Sequence, residues 1–271
     1  MSEERTASGS SARPLAAVTG ASSGIGLHLA LALARRGYDL IINAEDDALE
    51  SAADQVSAEG AQARTVRADL RDPSGVDQLY AAIKEDGRPL DVMALNAGVG
   101  KGGSFVETDL ADEQSIIDLN VTATVRLAKL VLRDMVANDS GRVLFTSSIA
   151  SEMPGAFQAV YNASKSFVQS FAQALQNELK DSAVTITSLM PGPTETEFFE
   201  RAGMLDTKIG QASKDDPATV AEQGVEALLA GKPRVTGGGL KTRVQDVASK
   251  VMPDKLKAAM HRSMAEPGSG N

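Results

Sequence analysis

The stretch Thr19-Gly20-Ala21-Ser22-Ser23-Gly24-Ile25-Gly26 decides the fold of this chain. It follows a short apolar run, residues 15–18, and leads into a segment of helical periodicity, residues 25–36. Glycines at these positions let the backbone turn tightly, approach a pyrophosphate closely, and pack a helix hard against a strand. The first N–H groups of such a helix have no intrahelical acceptor and suit a phosphate. Many turns use glycine, so the cluster alone says little. Its weight comes from the strand before it and the helix after it.

Outward from this turn, apolar runs at 40–43, 64–68, 92–95, 143–146, 184–189 and 234–236 read as six further strands. Helical periodicity occupies about 46–59, 74–85, 112–137, 158–180 and 217–230 between them. The strands are apolar without strict alternation, as expected when helices cover both faces of a parallel sheet. Strand–helix alternation of this kind builds right-handed βαβ units, hence an α/β, doubly wound sheet of about seven strands. No repeat or internal linker divides residues 14–236, which read as one dinucleotide-binding and catalytic domain of Rossmann type. Residues 1–13 read as a disordered N-terminal tail. Residues 237–271 read as a helical extension, with amphipathic stretches at 241–251 and 254–264 and a tail from Glu266 to Asn271.

Charge and composition exclude several classes. With 27 Lys and Arg against 36 Asp and Glu, the formal net charge of −9 opposes binding to nucleic acid. There is no cysteine, so disulfides and thiolate metal ligands are absent, and no metal site is expected. The N-terminal residues lack the apolar stretch of a signal peptide, and no apolar run is long enough to span a bilayer. A cytoplasmic enzyme is the default expectation.

Two further groups of residues carry chemistry. Glu45 ends the second strand about 20 residues past the glycine turn, where an acid grips the adenosine ribose hydroxyls. The bland reading of Glu45-Asp46-Asp47 is a solvated helix start, and both readings can hold together. Tyr161 and Lys165 open the helix at 158–180, four residues apart on one face. A free phenol has a pKa of about 10, too high for a base at neutral pH, and a nearby cation favours its phenolate. Such a tyrosine can give a proton to a carbonyl oxygen receiving a hydride, or take one from an alcohol. Ser148, just past the carboxyl end of the fifth strand, is placed to hydrogen-bond the same oxygen.

Together these residues resemble the short-chain dehydrogenase/reductase family, over almost all of residues 15–236. The glycine motif matches Thr19 to Gly26, including Gly20, Ser22, Ser23, Gly24, Ile25 and Gly26. The Tyr-x-x-x-Lys motif matches Tyr161 and Lys165, and the family's serine, thirteen residues earlier, selects Ser148. Asn96-Ala97-Gly98 is similar to its Asn-Ala-Gly motif, and Asp69-Leu70 to the pair whose Asp contacts adenine. Asn120 matches a helical asparagine that holds a relay water; Pro191-Gly192, Thr194 and Thr196 match the segment holding the nicotinamide carboxamide and phosphates.

The resemblance implies that Lys165 binds the nicotinamide ribose and lowers the pKa of Tyr161. It implies that Tyr161 is acid or base, Ser148 orients the substrate oxygen, and Asn120 links the site to solvent. Family members that use NADP(H) carry a basic residue at one of the positions held here by Glu45, Asp46 and Ser23. NAD(H) is therefore favoured over NADP(H), which the same fold also accepts. By the same resemblance Val99, Met153, Phe157, Phe198, Phe199 and Met204 wall the substrate pocket, suiting an aliphatic or bulky apolar carbonyl compound. Neither histidine enters this scheme: His28 reads as a packing residue and His261 as part of the extension. Competing readings are a 3-oxoacyl-thioester reductase and, in another class, a non-catalytic dinucleotide-sensing protein; a nucleotide-sugar epimerase fits the glycine spacing less well. The apolar residues Ile116, Ile117, Val121, Val125, Leu132, Met135, Phe167, Phe171 and Leu175 exceed what one sheet face requires, and a homodimer or homotetramer is expected.

Overall fold

A computed structural model describes residues 13–240, 242–244 and 252–270. Seven parallel strands lie in the order β3-β2-β1-β4-β5-β6-β7. They are β1 (Leu15–Thr19), β2 (Asp39–Ala44), β3 (Ala63–Arg67), β4 (Leu90–Leu95), β5 (Arg142–Thr146), β6 (Thr185–Pro191) and β7 (Arg234–Gly237). Every strand that the sequence predicts is present, with ends moved by one or two residues. β1 and β2 are buried along their whole length, which is why they lack polar alternation. The order reverses between β1 and β4, and this switch point opens a crevice at the carboxyl ends of the strands.

Helices cover both faces. One apolar core sits under α1 (Gly24–Arg35), α2 (Ala48–Ala58) and α9 (Pro217–Leu229), with Leu29, Leu33, Leu49 and Val225 at its centre. The other sits under α3 (Pro73–Glu85), α5 (Thr124–Ala137) and α6 (Ala159–Glu178), around Leu79, Leu127, Phe145 and Val168. Each such side chain, removed from water, contributes about 1.5–3 kcal/mol before the entropy of ordering is counted.

The helix predicted over 112–137 is three elements: α4 (Leu110–Ile117), a π turn (Asp118–Ala123) and α5. The wider turn interrupts the regular i to i−4 ladder and places Asn120 in the interior. Two short helices, α7 (Phe198–Arg201) and α8 (Lys208–Gln211), follow β6 and rise over the crevice. The predicted stretch at 254–264 is α10 (Asp254–Ala265); most of the one at 241–251 lies outside the described residues.

The segment after α10 differs from the tail expected of it. Gly268 N–H donates to the Asp206 carboxylate, Gly270 N–H to the Asp206 carbonyl, and Ser269 Oγ accepts from Lys208 N–H. Ala265 joins Phe199, Ala202 and Met204 in a third apolar cluster. Residues 254–270 therefore roof one end of the crevice. No described helix is long and apolar enough to cross a membrane.

Candidate active site

The glycine turn lies at the floor of the crevice. Gly20 and Gly24 adopt φ of +64° and +54°, a region that side chains other than glycine rarely enter. A Cβ on Gly20 would lie 2.9 Å from Ala97 Cα, and one on Gly26 only 1.9 Å from the Gly20 carbonyl oxygen. Ser23 caps α1 without a side-chain hydrogen bond, and Ser22 Oγ donates to Asp46 Oδ2 at 3.0 Å. The leading N–H groups of α1 thus stay open to the crevice lined by Ser22, Ser23, Gly24, Ile25 and Gly26. A pyrophosphate suits this cradle of bare backbone, whose glycines pack too closely on Ala97, Thr196 and the Gly20 carbonyl to carry a Cβ.

Asn96 is tied on all sides. Its backbone N–H and that of Ala97 donate to Thr19 Oγ1 at 2.9 and 3.0 Å. Its side-chain amide donates to the Thr19 carbonyl at 3.1 Å, and its Oδ1 accepts from Thr146 Oγ1 at 3.1 Å. Thr19, the first residue of the glycine stretch, and Thr146, which belongs to no motif singled out in the sequence, join β1, β4 and β5 at the switch point. Gly98, also on the wall, is closely packed: a Cβ would lie 3.1 Å from both Asn120 Oδ1 and Lys165 Nζ, and these would have to give by a few tenths of an ångström. Opposite, Pro191, Gly192, Thr194 and Thr196 line the crevice, and Thr196 packs on Gly24, where a Cβ would meet its Cγ2 at 2.8 Å.

At the far end Glu45, Asp69 and Leu70 line the crevice as predicted positions, but Glu45 is not alone. The Arg71 guanidinium pairs with Glu45 and reaches Asp69 at 2.8 Å. Burial raises the Asp69 pKa, and the hydrogen bonds from Arg71 outweigh it, holding the carboxyl below the usual carboxylate range. Arg71 comes from the loop after β3, next to the Asp69-Leu70 pair, and belongs to neither that pair nor the acidic positions after β2.

Ser148, Tyr161 and Lys165 converge at the other side of the switch point. The Ser148 hydroxyl lies beside the Tyr161 phenol and acts to lower its pKa, and Ser148 Oγ donates to the Pro191 carbonyl at 3.4 Å. Ser148 Oγ also accepts from Ala150 N–H at 3.1 Å, which fixes its rotamer. Lys165 is only 6% exposed; its Nζ donates to the Thr146 carbonyl at 2.9 Å and lies 6.0 Å from the Tyr161 ring centre. Burial pulls the lysine down to about 8. The expected lowering of the tyrosine is not what the protein chain alone produces. Burial pushes the phenol up to about 12, and the Ser148 hydroxyl offsets only part of this. Desolvation outweighs a cation that is itself engaged by a backbone carbonyl.

Asn120 is buried, and its amide clamps the backbone of Val99 from both sides: Oδ1 accepts from Val99 N–H and Nδ2 donates to Val99 O, each at 2.9 Å. Its second amide hydrogen goes to Ser164 Oγ at 2.9 Å. Both amide protons are therefore used within the protein, and the side chain positions the Val99 loop.

Of the six candidate wall residues, Val99, Met153, Phe198 and Phe199 line the crevice. Phe198 lies against Tyr161, ring centres 5.0 Å apart. Phe157 and Met204 do not line it. Met204 is fully buried in the cluster with Phe199, Ala202 and Ala265. Phe157, at φ +64°, turns its ring under the Arg262 guanidinium, 5.1 Å away. The reading missed His261 and Met264 of α10, and Gln158, all of which border the same end. His261 and Met264 lie far along the chain from the motifs, and Gln158, three residues before Tyr161, belongs to none of them. Among the described residues, no group of three or more His, Asp or Glu side chains is arranged to hold a metal.

The family model of the short chain dehydrogenases matches residues 14–204. The oxidoreductase UcpA of Salmonella typhimurium is 31% identical over 216 residues, 79% of either chain. The 3-oxoacyl-[acyl-carrier-protein] reductase of a Synechocystis species is 34% identical over 188 residues, 69% of this chain and 76% of the relative. A solved short-chain dehydrogenase from Sphingobium yanoikuyae, in complex with NADPH, superposes with a TM-score of 0.78 at 27% identity, covering 88% of this chain and 93% of that one. A Burkholderia phymatum structure in complex with NAD shares the fold, with a TM-score of 0.80 at 23% identity over 88% and 91% of the two chains. The chain therefore belongs to the short-chain dehydrogenase/reductase family of oxidoreductases.

Proposed function

We propose that this chain is a nicotinamide-dependent oxidoreductase that interconverts a carbonyl compound and its alcohol. The observation that carries this reading is the convergence of Ser148, Tyr161 and a buried Lys165 on one crevice, continuous with the open backbone cradle of Gly20 to Gly26. When bound, the cofactor supplies or removes the hydride. Its phosphates would lie on the α1 N-terminus, its nicotinamide half beside Lys165, Pro191, Gly192, Thr194 and Thr196, and its adenosine beside Asp69, Leu70 and Glu45. Ser148 orients the substrate oxygen and Tyr161 exchanges the proton with it. A phenol held near 12 keeps its proton at neutral pH, which suits donation to an oxygen gaining negative charge. Lys165, near 8, is still mostly charged there and stabilises the phenolate left behind. Asn120 holds the Val99 loop in place. A panel of ketones and alcohols with NADH, NADPH and their oxidised forms, followed at the nicotinamide absorbance, tests this; no turnover on a broad panel refutes it. A non-catalytic sensor has no need of the converging Tyr161, Ser148 and Lys165.

NAD(H) is the proposed cofactor, because Glu45 would repel a 2′-phosphate at contact distance. Arg71 favours the second reading, NADP(H), since the guanidinium that now pairs with Glu45 can equally meet a phosphate. Wild type is expected to prefer NADH by ~10-fold in kcat/KM, which needs about 1.4 kcal/mol. Glu45→Ala should move that ratio toward NADPH by freeing Arg71. A wild-type preference for NADPH, or a ratio unmoved by the substitution, rejects Glu45 as the discriminator.

The crevice wall suits an aliphatic or bulky apolar substrate. A 3-oxoacyl thioester is one member of that class, and the Synechocystis relative is the observation in its favour. Self-association is proposed through α4 and α6. Ile116, Leu132 and Met135 turn out to be core residues, while Ile117 and Phe167 stay 39% and 41% exposed. A homodimer or homotetramer is expected at micromolar concentration by light scattering, and a monomer would reject it.

A further inference from the structure

One buried titratable side chain borders the crevice with no task in the mechanism above. His261 is 2% exposed. Its Nδ1 lies 2.9 Å from the Ala156 carbonyl oxygen. A carbonyl only accepts, so Nδ1 carries a hydrogen. Burial lowers the imidazole pKa and keeps the ring neutral, which leaves Nε2 a bare acceptor. Among the described residues no donor reaches Nε2. Gln158, two residues past Ala156, borders the same space, and its side-chain amide also lacks a protein partner among them. Neither group is among the sealed unpaired atoms, which are Asn162 Oδ1, Gln169 Nε2 and Thr185 Oγ1. Both therefore open on the crevice, whose lining also includes Ile149, Met153, Phe198, Phe199, Ile209 and Met264.

We propose that His261 Nε2 and the Gln158 amide together recognise a hydroxyl group on the substrate, so that the substrate is an apolar carbonyl or alcohol compound carrying a second hydroxyl away from the reacting carbon. This rests on the oxidoreductase reading. A hydroxyl is the group that fits both partners, donating to Nε2 and accepting from the amide. A purely apolar tip leaves both unmet, at a cost of about 1–3 kcal/mol for a buried polar group. A carboxylate tip finds no free cation there, because Arg201 is paired with Glu197 and Arg262 covers Phe157. The position is held from its C-terminal side, where Arg262, Ala265 and the Asp206 hydrogen bonds fix the end of α10 and the residues after it.

The chain has two histidines, so 15N-histidine labelling gives a simple spectrum in which His28 is the internal reference. The probes are a graded series of straight-chain methyl ketones and their ω-hydroxy counterparts, added to the full chain with cofactor. The Nε2 resonance of His261 is expected to move with the ω-hydroxy ketone of fitting length and not with its parent. In kinetics, the kcat/KM preference for that ω-hydroxy ketone over its parent, on the order of 5-fold for one hydrogen bond, should vanish in His261→Asn. Asparagine can still donate to the Ala156 carbonyl but has nothing at the Nε2 position, and its melting temperature reports whether that bond still holds the fold. Equal Nε2 shifts with both ketones, no shift with either, or a preference retained in His261→Asn would each overturn the proposal. If wild type reduces no ketone with either cofactor, the oxidoreductase reading falls, and the nitrogen shift still decides the fate of the His261 proposal.

Discussion

Tyr161→Phe is expected to lower turnover by at least ~100-fold, the scale of a positioned general acid, while cofactor affinity stays at its wild-type value. The substitution deletes one oxygen. The ring that packs on Phe198 remains, as does the backbone that opens α6, and the cradle from Gly20 to Gly26 is not touched. What is lost is the hydroxyl that lies beside Ser148. Ser148 cannot replace it: its Oγ is held by Ala150 N–H, and a serine hydroxyl is a far weaker acid than a phenol. The two effects separate experimentally. Cofactor binding is read by titration of nicotinamide fluorescence, and the chemical step by single-turnover reduction of a ketone that wild type accepts. A variant that reduces that ketone at near-normal rate removes Tyr161 from the mechanism.

The sheet was legible because β1, β2, β4, β5 and β6 are buried on both faces and so read as short, unbroken apolar runs. The crevice was legible because its floor needs glycine: no other residue fits where a Cβ would strike backbone at Gly20 and Gly26. Other features had no such signature. The π turn around Asn120 has the composition of ordinary helix, and only the clamp on Val99 shows why the ladder breaks there. Phe157 and Met204 show that an apolar residue in a wall-forming segment is equally suited to a core. Arg71 and His261 reach the site through tertiary folding, one from the loop after β3 and the other from a helix beyond the last strand. Periodicity reports which face of an element is buried, and it is silent on which distant element does the burying.

Lys165→Met is expected to have two opposed consequences: turnover falls ~100-fold or more, and the folded chain loses a pH-dependent penalty that wild type carries. The first follows from distance. A charge 6.0 Å from the Tyr161 ring centre stabilises a phenolate by about 3 kcal/mol at an effective dielectric constant of ~20, which corresponds to ~100-fold in rate. The second follows from burial. The lysine pKa falls from 10.5 to about 8 on folding, so the unfolded chain keeps the proton over a range where the folded chain has lost it. Stability therefore rises with pH from 8 toward 10.5, and below 8 the whole cost is in force, about 3 kcal/mol by linkage. Methionine removes that cost and leaves the Thr146 carbonyl without its donor, at about 1–3 kcal/mol. The net change at neutral pH is a gain of up to about 2 kcal/mol. The change with pH does not depend on that balance. Between pH 8 and 10 wild type should gain on the variant by up to about 1.4 kcal/mol per unit. Tyr161, held near 12, does not enter until above 10, where its unfolded form begins to ionise and stability falls again. Urea unfolding of both chains at several values across that window measures the difference directly. A gap that stays constant from pH 8 to 10 would mean that Lys165 is not the depressed lysine. A gap that closes as predicted, with turnover lost throughout, would show that the fold tolerates a destabilising buried cation because proton transfer at Tyr161 requires it.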